Sequence, residues 1–284
     1  MTNNKHTGWE WEIKPGQSWF HWDLAGIWHY KDLLFRFVRR DLLANYQQTI
    51  LGPFWIVFQP LLTTLVYFVI FGRIAKVSTD GSPAILFYMP GVIIWSYFSD
   101  CLTGTMYTFL NNSAVFSKVY FPRLIVPLSN IITQSVRLCV QLLLFFIIYA
   151  FFFFRHHMVT PSAAILLLPL LVLLTAGFSL GSGLIISIFT AKYRDLDYAL
   201  QFILRLFMFA TPVVYPTSIV PERYKVLFFL NPLTPVIETF RSAFLTHSPI
   251  HTGYLWISVL STVILLLTGI ALFKKLELKV MDII

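Results

Sequence analysis

Residues 163–189 read AAILLLPLLVLLTAGFSLGSGLIISIF, a stretch of 27 residues that contains no charged side chain. A helix needs about 20 mostly apolar residues to cross the hydrocarbon core of a bilayer, so this stretch predicts a transmembrane helix. Five further windows are long and apolar enough to do the same: 54–72, 84–106, 125–154, 198–216 and 254–273. We therefore predict an all-α integral membrane protein with six transmembrane helices.

The composition of the chain excludes an ordinary soluble protein. Of its 284 residues, 57% are hydrophobic and 12% are charged, whereas a soluble domain carries roughly 25% charged residues. The net charge of +8 comes from basic residues that flank the apolar windows, where they would meet anionic lipid headgroups. We expect membrane lipid as a partner and no nucleic acid, since nucleic-acid binding needs basic residues clustered on one soluble face.

The distribution of Lys and Arg predicts the orientation, because basic residues are retained on the cytoplasmic side. With a cytoplasmic N-terminus and six spans, thirteen of them fall in inside segments and six in outside segments. A seventh span at 226–245 would move the basic C-terminal residues outside and place Glu238 and Arg241 at membrane depth, so we prefer six. The first 50 residues lack the apolar core and cleavage site of a signal peptide, so we expect them to remain. Both termini are then cytoplasmic.

The N-terminal region divides into two parts. Residues 1–28 hold five of the eight tryptophans of the chain, and because indole rings prefer the headgroup layer, this segment is predicted to lie at the membrane surface. Between 29 and 48, apolar residues recur at three- and four-residue spacing while Arg36, Arg39 and Arg40 share another face. This pattern predicts an amphipathic helix on the cytoplasmic leaflet. A solvated helix without a docking role is the alternative.

Residues 217–253 are predicted to form two short helices on the outer side. Their apolar runs, at 226–230 and 236–245, are separated by a break that holds Asn231 and Pro232. Helices that enter the outer leaflet and return satisfy their own backbone groups, which an irregular lipid-exposed loop could not do. We therefore predict two re-entrant helices before the last span.

The chain carries no motif for nucleotide or metal chemistry. It contains no Gly-x-x-x-x-Gly-Lys-Ser/Thr phosphate loop and no His-Glu-x-x-His zinc motif, so we expect no cofactor or metal in this chain and no ATP hydrolysis by it. Cys101 and Cys139 lie 38 residues apart in different windows. That spacing suits neither a metal site nor an extracellular disulfide, and we predict that both cysteines are buried packing residues.

Three ionisable residues lie within the predicted spans: Asp100, Arg137 and Arg205. Each would cost about 2.5–3.5 kcal/mol if it faced lipid, so each should face the protein interior, an aqueous path or a partner charge. An ion pair between Asp100 and an arginine is one interpretation. Direct contact with a substrate and simple closeness to the membrane surface are the other two.

Aromatic residues are abundant, with 28 Phe, 13 Tyr and 8 Trp. In the first and fifth windows they cover several helix faces, and the candidates are Phe54, Trp55, Phe58, Tyr67, Phe202, Phe207 and Tyr215. An aromatic ring can stack on the apolar C–H face of a sugar while it stays compatible with lipid. Ordinary packing and lipid contact are the competing interpretation for each of them.

Several short segments together resemble one family. They are Arg39-Arg40-Asp41-Leu42, the run YQQTILGPFWIVFQPL at 46–61, IFGR at 70–73, KVYFPR at 118–123, YRDL at 193–196 and NPLTP at 231–235. From about residue 28 to the C-terminus, the chain resembles the polysaccharide ABC exporter permeases of the O-antigen, capsule and teichoic-acid type.

The resemblance implies a permease that pairs with a second copy of itself and with two copies of a separate ATPase, which binds ATP and Mg²⁺. It would move a lipid-linked glycan out of the cytoplasm across the bacterial inner membrane, with residues 29–284 as the transmembrane domain. In that family, spans one and five line the path. The N-terminal helix and the loop at 110–123 contact the ATPase, here through Arg36, Arg39, Arg40, Lys118, Tyr120 and Arg123. The short outer helices form a gate, here with Asn231, Pro232, Pro235, Glu238 and Arg241.

Two other functions compete with this one. An ABC exporter for a drug or a simple lipid would share the architecture without the glycan path. A membrane-embedded acyl- or glycosyltransferase would need catalytic Asp, Glu or His residues clustered at one membrane face. The outside loops offer only dispersed candidates: Asp80, Glu222, Glu238, His247 and His251.

Overall fold

A computed structural model describes residues 24–47, 49–156, 161–193, 195–245 and 252–281. Within these ranges all regular structure is helical. The helices are α1 (Leu24–His29), α2 (Lys31–Tyr46), α3 (Trp55–Tyr67), α4 (Ala84–Met106), α5 (Thr108–Phe116), α6 (Ile125–His156), α7 (Leu168–Lys192), α8 (Leu196–Ala210), α9 (Glu222–Phe229), α10 (Leu233–Phe244) and α11 (Leu255–Met281). Most of the predicted surface segment 1–28 lies outside the described residues, as do His247 and His251.

Five of the described helical segments are long and apolar enough to cross a membrane. α3 continues through a π-helical segment, Phe68–Ile74, and the other four are α4, α6, α7 with its preceding 3₁₀ turn, and α11. Their bounds lie close to those of the five corresponding windows. The prediction of an all-α membrane protein is thereby confirmed.

The window at 198–216 yields a shorter helix than predicted. α8 ends at Ala210 because Thr211, which precedes Pro212, adopts an extended conformation with φ −106° and ψ 138°, as a residue before proline prefers. Its 15 residues span about 22 Å, short of the roughly 30 Å of a hydrocarbon core. The described helices therefore do not confirm the count of six.

α4 is the central helix of the bundle and packs against α6, α7, α3 and α10. Small residues bring its neighbours close: a Cβ at Gly183 of α7 would lie 2.7 Å from Thr105 Cβ of α4, and one at Gly181 would lie 2.6 Å from the backbone of Leu265 in α11. The glycines of α7 therefore permit backbone contact between helices. α7 differs in this from α3, which lies at the edge of the bundle.

The two cysteines differ in environment. Cys101 on α4 is fully buried, as predicted, but Cys139 on α6 is exposed. The prediction for Cys139 is wrong because it lies on the outward face of α6, beside the exposed Leu143 and Ile147. In a membrane protein an apolar residue of a span can face lipid as readily as protein.

The outer segment contains the two predicted short helices, with different bounds. α9 is largely exposed, whereas every residue of α10 from Leu233 to Phe244 is buried. α10 packs on α6 through Phe244, whose ring centroid lies 5.0 Å from that of Phe145. It is also joined to the chain before α7 by the Ser162 amide, which donates to the Ala243 carbonyl at 2.9 Å.

Candidate functional site

A buried ion pair lies within α10. Arg241 is fully buried, and its Nη1 donates to Glu238 Oε1 at 3.1 Å, one turn away on the same helix. A buried charge is tolerated only where it is paired and its remaining hydrogen-bonding groups are satisfied. The partners of the other guanidinium nitrogens are therefore informative.

Those partners are backbone carbonyls of two other elements. Arg241 Nη2 donates to the Val213 carbonyl at 2.7 Å, Nη1 to the Tyr215 carbonyl at 3.3 Å, and Nε to the Phe87 carbonyl of α4 at 3.2 Å. The guanidinium also lies 3.9 Å from the centroid of the Phe87 ring, within cation–π range. One side chain thus ties α10 to α4 and to the non-helical segment after α8.

Gly91 allows that segment to approach α4. A Cβ at position 91 would lie 2.7 Å from the Val213 carbonyl oxygen and 3.1 Å from Arg241 Nη2, so a larger residue would push both away. At the start of the segment, Asn231 Nδ2 donates to Thr211 Oγ1 at 2.8 Å. The structure therefore brings Asn231, Glu238 and Arg241 of the predicted gate to the C-terminal end of α8.

The two prolines of the predicted gate lie at the start of α10. Pro232 occupies the N-cap position, and its carbonyl accepts a hydrogen bond from Ser258 Oγ of α11 at 2.6 Å. Pro235 lies in the first turn, where the missing N–H has no helical partner to lose. α10 is thereby joined to α11 as well as to α4 and α6.

The aromatic residues of α3 and of the turn before it are uncovered in the protomer. Phe54 is 75% exposed, Trp55 43% and Phe58 44%, and the rings of Trp55 and Phe58 meet edge to face with centroids 5.9 Å apart. Further along the helix, Tyr67 is half-buried, and its hydroxyl donates to Met208 Sδ of α8 at 3.1 Å. This contact joins the two helices that were predicted to line a path.

The aromatic residues of α8 separate into two groups. Phe202 is exposed, whereas Phe207 packs against Trp95 and Phe98 of α4, with ring centroids 5.9 and 6.1 Å apart. Tyr215, beyond the end of the helix, donates its hydroxyl to the Phe209 carbonyl at 2.8 Å. Of the predicted path residues Phe202, Phe207 and Tyr215, Phe202 alone is exposed in the protomer.

The predicted coupling residues lie on and around α2 and α5. Arg36 and Arg39 are exposed, and Arg40 Nη2 lies 3.5 Å from Asn112 Oδ1 of α5. Lys118 and Tyr120 are exposed in the segment after α5, whereas Arg123 is half-buried, 4.0 Å from Glu277 of α11. Beneath them, Phe37 of α2, Phe121 and Phe273 share one hydrophobic cluster. A rigid base therefore presents exposed basic and aromatic side chains.

The three charged residues within the predicted spans occupy different positions. Asp100 is exposed on α4, and Arg137 of α6 is the arginine whose charge acts on it. Arg205 is exposed on α8. At the end of α4, the Tyr107 hydroxyl donates to Asp197, and burial together with that hydrogen bond raises the pKa of Tyr107. No group of three His, Cys, Asp or Glu side chains suited to a metal occurs within the described ranges.

Sequence reasoning missed the residues that complete the Arg241 contacts. Phe87, Val213 and Tyr215 contribute backbone carbonyls, and carbonyls carry no signature in a sequence. Gly91, beside Pro90 in a predicted span, was a visible signal of close backbone approach. The exposure of Asp100 could also have been anticipated, because Ser96, Asp100 and Thr103 recur at helical spacing.

Comparisons with known proteins agree with this architecture. The profile of the ABC-2 type transporter family matches residues 32–245. The O-antigen export system permease protein RfbA of Klebsiella pneumoniae is 27% identical over 253 residues, 89% of this chain and 95% of that protein. The O-antigen export system permease protein RfbA of Myxococcus xanthus is 26% identical over 223 residues, 78% of this chain and 83% of that protein. Because the family profile covers more than half of the sequence, this chain belongs to the ABC-2 type transporter family.

Proposed function

We propose that this chain is the permease subunit of an ATP-driven ABC exporter that moves a lipid-linked, O-antigen-like polysaccharide across the bacterial inner membrane. Family membership supports a transport subunit, and the similarity to permeases named for O-antigen export supports the substrate class. The observation that carries the proposal is the uncovered aromatic surface of α3 and α8.

This surface suits a long polymer better than a small ligand. Aromatic rings attract the apolar faces of sugars without demanding directional partners, so successive sugars can slide past with small barriers. Phe54, Trp55, Phe58 and Phe202 are uncovered in the protomer. We infer that they line the path together with Tyr67 and Tyr215. Phe207, which is half-buried, would contribute to the path as part of the wall behind these exposed rings.

A second copy of the chain would complete the path. Only 11% of the most apolar stretch of the α3 span is buried in the protomer, so most of this span is left for another surface to cover. Two copies that face each other through α3 and α8 would enclose the path, with the α10 segment as an outer gate built on Asn231, Pro232, Pro235, Glu238 and Arg241.

Two copies of a separate ATPase would supply the energy, and ATP and Mg²⁺ would be bound by them. Exposed Arg36, Arg39, Lys118 and Tyr120 offer a docking surface for that partner. Arg40 and Arg123 join this surface to α5 and α11. Movement of a docked ATPase would thereby reach the transmembrane helices.

The proposed topology has six crossings and both termini in the cytoplasm. The distribution of basic residues supports it, with α8 and the non-helical segment after it as the fifth crossing. Cysteines placed at 4 and 281 should resist a membrane-impermeant thiol reagent in intact cells, and one at 81 should react. Labelling at either terminus would contradict this topology.

The central experiment is reconstitution of the permease with its ATPase in proteoliposomes. Lipid-linked O-antigen polysaccharide should stimulate ATP hydrolysis and should appear on the far side of the membrane. A drug or a simple lipid that stimulates hydrolysis when the glycan does not would favour the alternative exporter instead.

A further inference from the structure

The one open face of the central helix α4 is polar. Ser96, Asp100, Thr103 and Tyr107 recur at intervals of four, three and four residues, which places them on one side of the helix. Asp100 is exposed and the other three are half-buried, whereas 72% of the most apolar stretch of α4 is buried. Apart from Ile85 in its first turn, which is exposed, the helix therefore exposes polar residues and buries apolar ones, the reverse of what lipid contact requires.

A ladder of polar side chains on α6 forms one wall beside this face. Arg137 Nη1 donates to Gln134 Oε1 at 3.1 Å, and Gln134 Nε2 donates to Asn130 Oδ1 at 3.3 Å. Asn130 Nδ2 in turn donates to the Cys101 carbonyl of α4 at 3.0 Å. Asn130 also occupies the space beside Gly104, which a Cβ at that position would need.

α8 forms the opposite wall. The Tyr107 hydroxyl donates to Asp197, and Gln201 Nε2 lies 3.4 Å from the Tyr107 oxygen. Arg205, one turn beyond Gln201, is exposed. Toward the other end of the helix, the Tyr67 hydroxyl of α3 donates to Met208 of α8, and α3 also packs against α6. The three helices thus outline a polar groove that is open along α4 and covered by α3 at one end.

Lipid cannot fill the polar groove favourably. Each charged side chain at membrane depth costs about 2.5–3.5 kcal/mol when it faces hydrocarbon, and Asp100 and Arg137 lie on the α4 and α6 sides of this space. Water, a polar substrate or a second protein copy must therefore cover it. The exposed face of α8 continues the groove directly into the aromatic surface, because Tyr198, Phe202, Arg205 and Phe209 follow one another at the same helical spacing.

We propose that the polar groove binds the sugar hydroxyl groups of the glycan as it enters the path, an inference that rests on the proposed function. Hydroxyl groups both donate and accept hydrogen bonds. The groove offers a carboxylate that only accepts, guanidinium groups that only donate, and amides that do both. Hydrogen bonds here would orient the sugar rings, and the adjoining aromatic rings of α8 would then receive their apolar faces. The sugars, rather than the lipid anchor, are thereby recognised at α4 and α6.

Cysteine accessibility tests whether the groove is open to water and to glycan. Cysteine at Thr103 is introduced after Cys101 and Cys139 are replaced by alanine, and Val136→Cys serves as a control on the exposed apolar side of α6. A charged thiol reagent should modify position 103 in the reconstituted complex and spare position 136. Lipid-linked O-antigen polysaccharide should protect position 103, and glycan stalled in transit should crosslink to a photoreactive residue placed there.

Substitutions test whether the polar groups contribute to recognition. Asp100→Asn and Gln134→Leu should each raise the glycan concentration for half-maximal ATPase stimulation about tenfold, the effect of one lost charge-assisted or amide hydrogen bond. Ser135→Ala is the matched control, because Ser135 bonds Tyr97 at 2.8 Å on another face of α6.

The outcomes separate this inference from the function on which it rests. A complex that no lipid-linked glycan stimulates would overturn the proposed function and the inference with it. Stimulation by glycan without protection at position 103 would overturn the inference alone. Crosslinking of position 103 to a second copy of the chain would do the same, because the groove would then be a subunit contact.

Discussion

α3 and α4 are both membrane spans of nearly the predicted length, yet their environments are opposite. The most apolar stretch of α4 is 72% buried, and that of α3 is 11% buried, although α3 is the more hydrophobic of the two. In water, hydrophobicity would predict the reverse order. In a bilayer, lipid solvates apolar side chains as well as protein does, so the buried helix is the one with small and polar residues that pack and form hydrogen bonds.

The difference explains where substitutions should affect folding and where they should affect transport. α4 contacts α10 through Arg241 and α7 through Thr105, so it holds the bundle together. α3 is mostly exposed and leaves Trp55 and Phe58 uncovered for a partner or substrate, whereas Tyr67 contacts α8. Changes near α4 should therefore reduce stability, and changes on α3 should reduce export.

The largest effect is expected for Arg241→Met. The change leaves Glu238 buried without its partner and frees three carbonyls from the guanidinium, at a cost of about 3–5 kcal/mol. Thermal unfolding of the purified protein in detergent and its yield in membranes should both drop sharply. Arg223→Met on the exposed α9 is the control and should leave both unchanged. An unaltered unfolding temperature for Arg241→Met would contradict the role given to this ion pair.

Gly91→Ala should have the next largest effect. The new Cβ would lie 2.7 Å from the Val213 carbonyl and 3.1 Å from Arg241 Nη2, and overpacking of this kind costs about 1–3 kcal/mol. Thermal unfolding in detergent is again the measurement. Gly253→Ala is the control, because a Cβ at position 253 has no atom within 4 Å. Equal unfolding temperatures for the two variants would show that the segment at 211–215 can move away from the new Cβ without a loss of stability.

Phe207→Ala and Trp55→Ala should separate stability from transport. Phe207 packs on Trp95 and Phe98, so its loss should cost roughly half of the 3–5 kcal/mol of a fully buried phenylalanine. The exposed Trp55 should change stability by less than about 1 kcal/mol and still reduce glycan export per folded molecule. Export that remains normal in Trp55→Ala would remove this residue from the path.

The smallest effect on stability is expected for Lys118→Glu. The side chain is exposed, so the free energy of unfolding should change by no more than about 0.5 kcal/mol. Docking of the ATPase, measured by co-purification, should nevertheless weaken. Arg123→Glu should weaken docking and also lower stability, because it would replace the cation that lies 4.0 Å from Glu277 by a second carboxylate. Normal co-purification and transport in both variants would exclude this segment as the contact site.

Some parts of the fold were predicted from the sequence more accurately than others. Five spans and the two outer helices followed from hydrophobic runs and from Pro and Asn breaks. The end of α8 was predicted six residues too far along the chain, because Val213 and Val214 continue its apolar run although Thr211 cannot stay helical before Pro212. The burial of Cys139 was predicted wrongly because hydropathy does not distinguish lipid from protein as the neighbour of a side chain.

The sequence by itself determined an all-α membrane protein, the approximate bounds of five apolar helices and, through its short motifs, the family. The helices follow from the sequence because hydropathy acts along a continuous stretch. The tertiary structure alone decided that α4 lies at the centre with a polar open face, that α3 is uncovered, and that Arg241 joins α10, α4 and the segment after α8. These features depend on carbonyls, glycine contacts and helix rotations from distant parts of the chain. Apolar residues that lipid and protein solvate equally well cannot encode them in hydropathy alone.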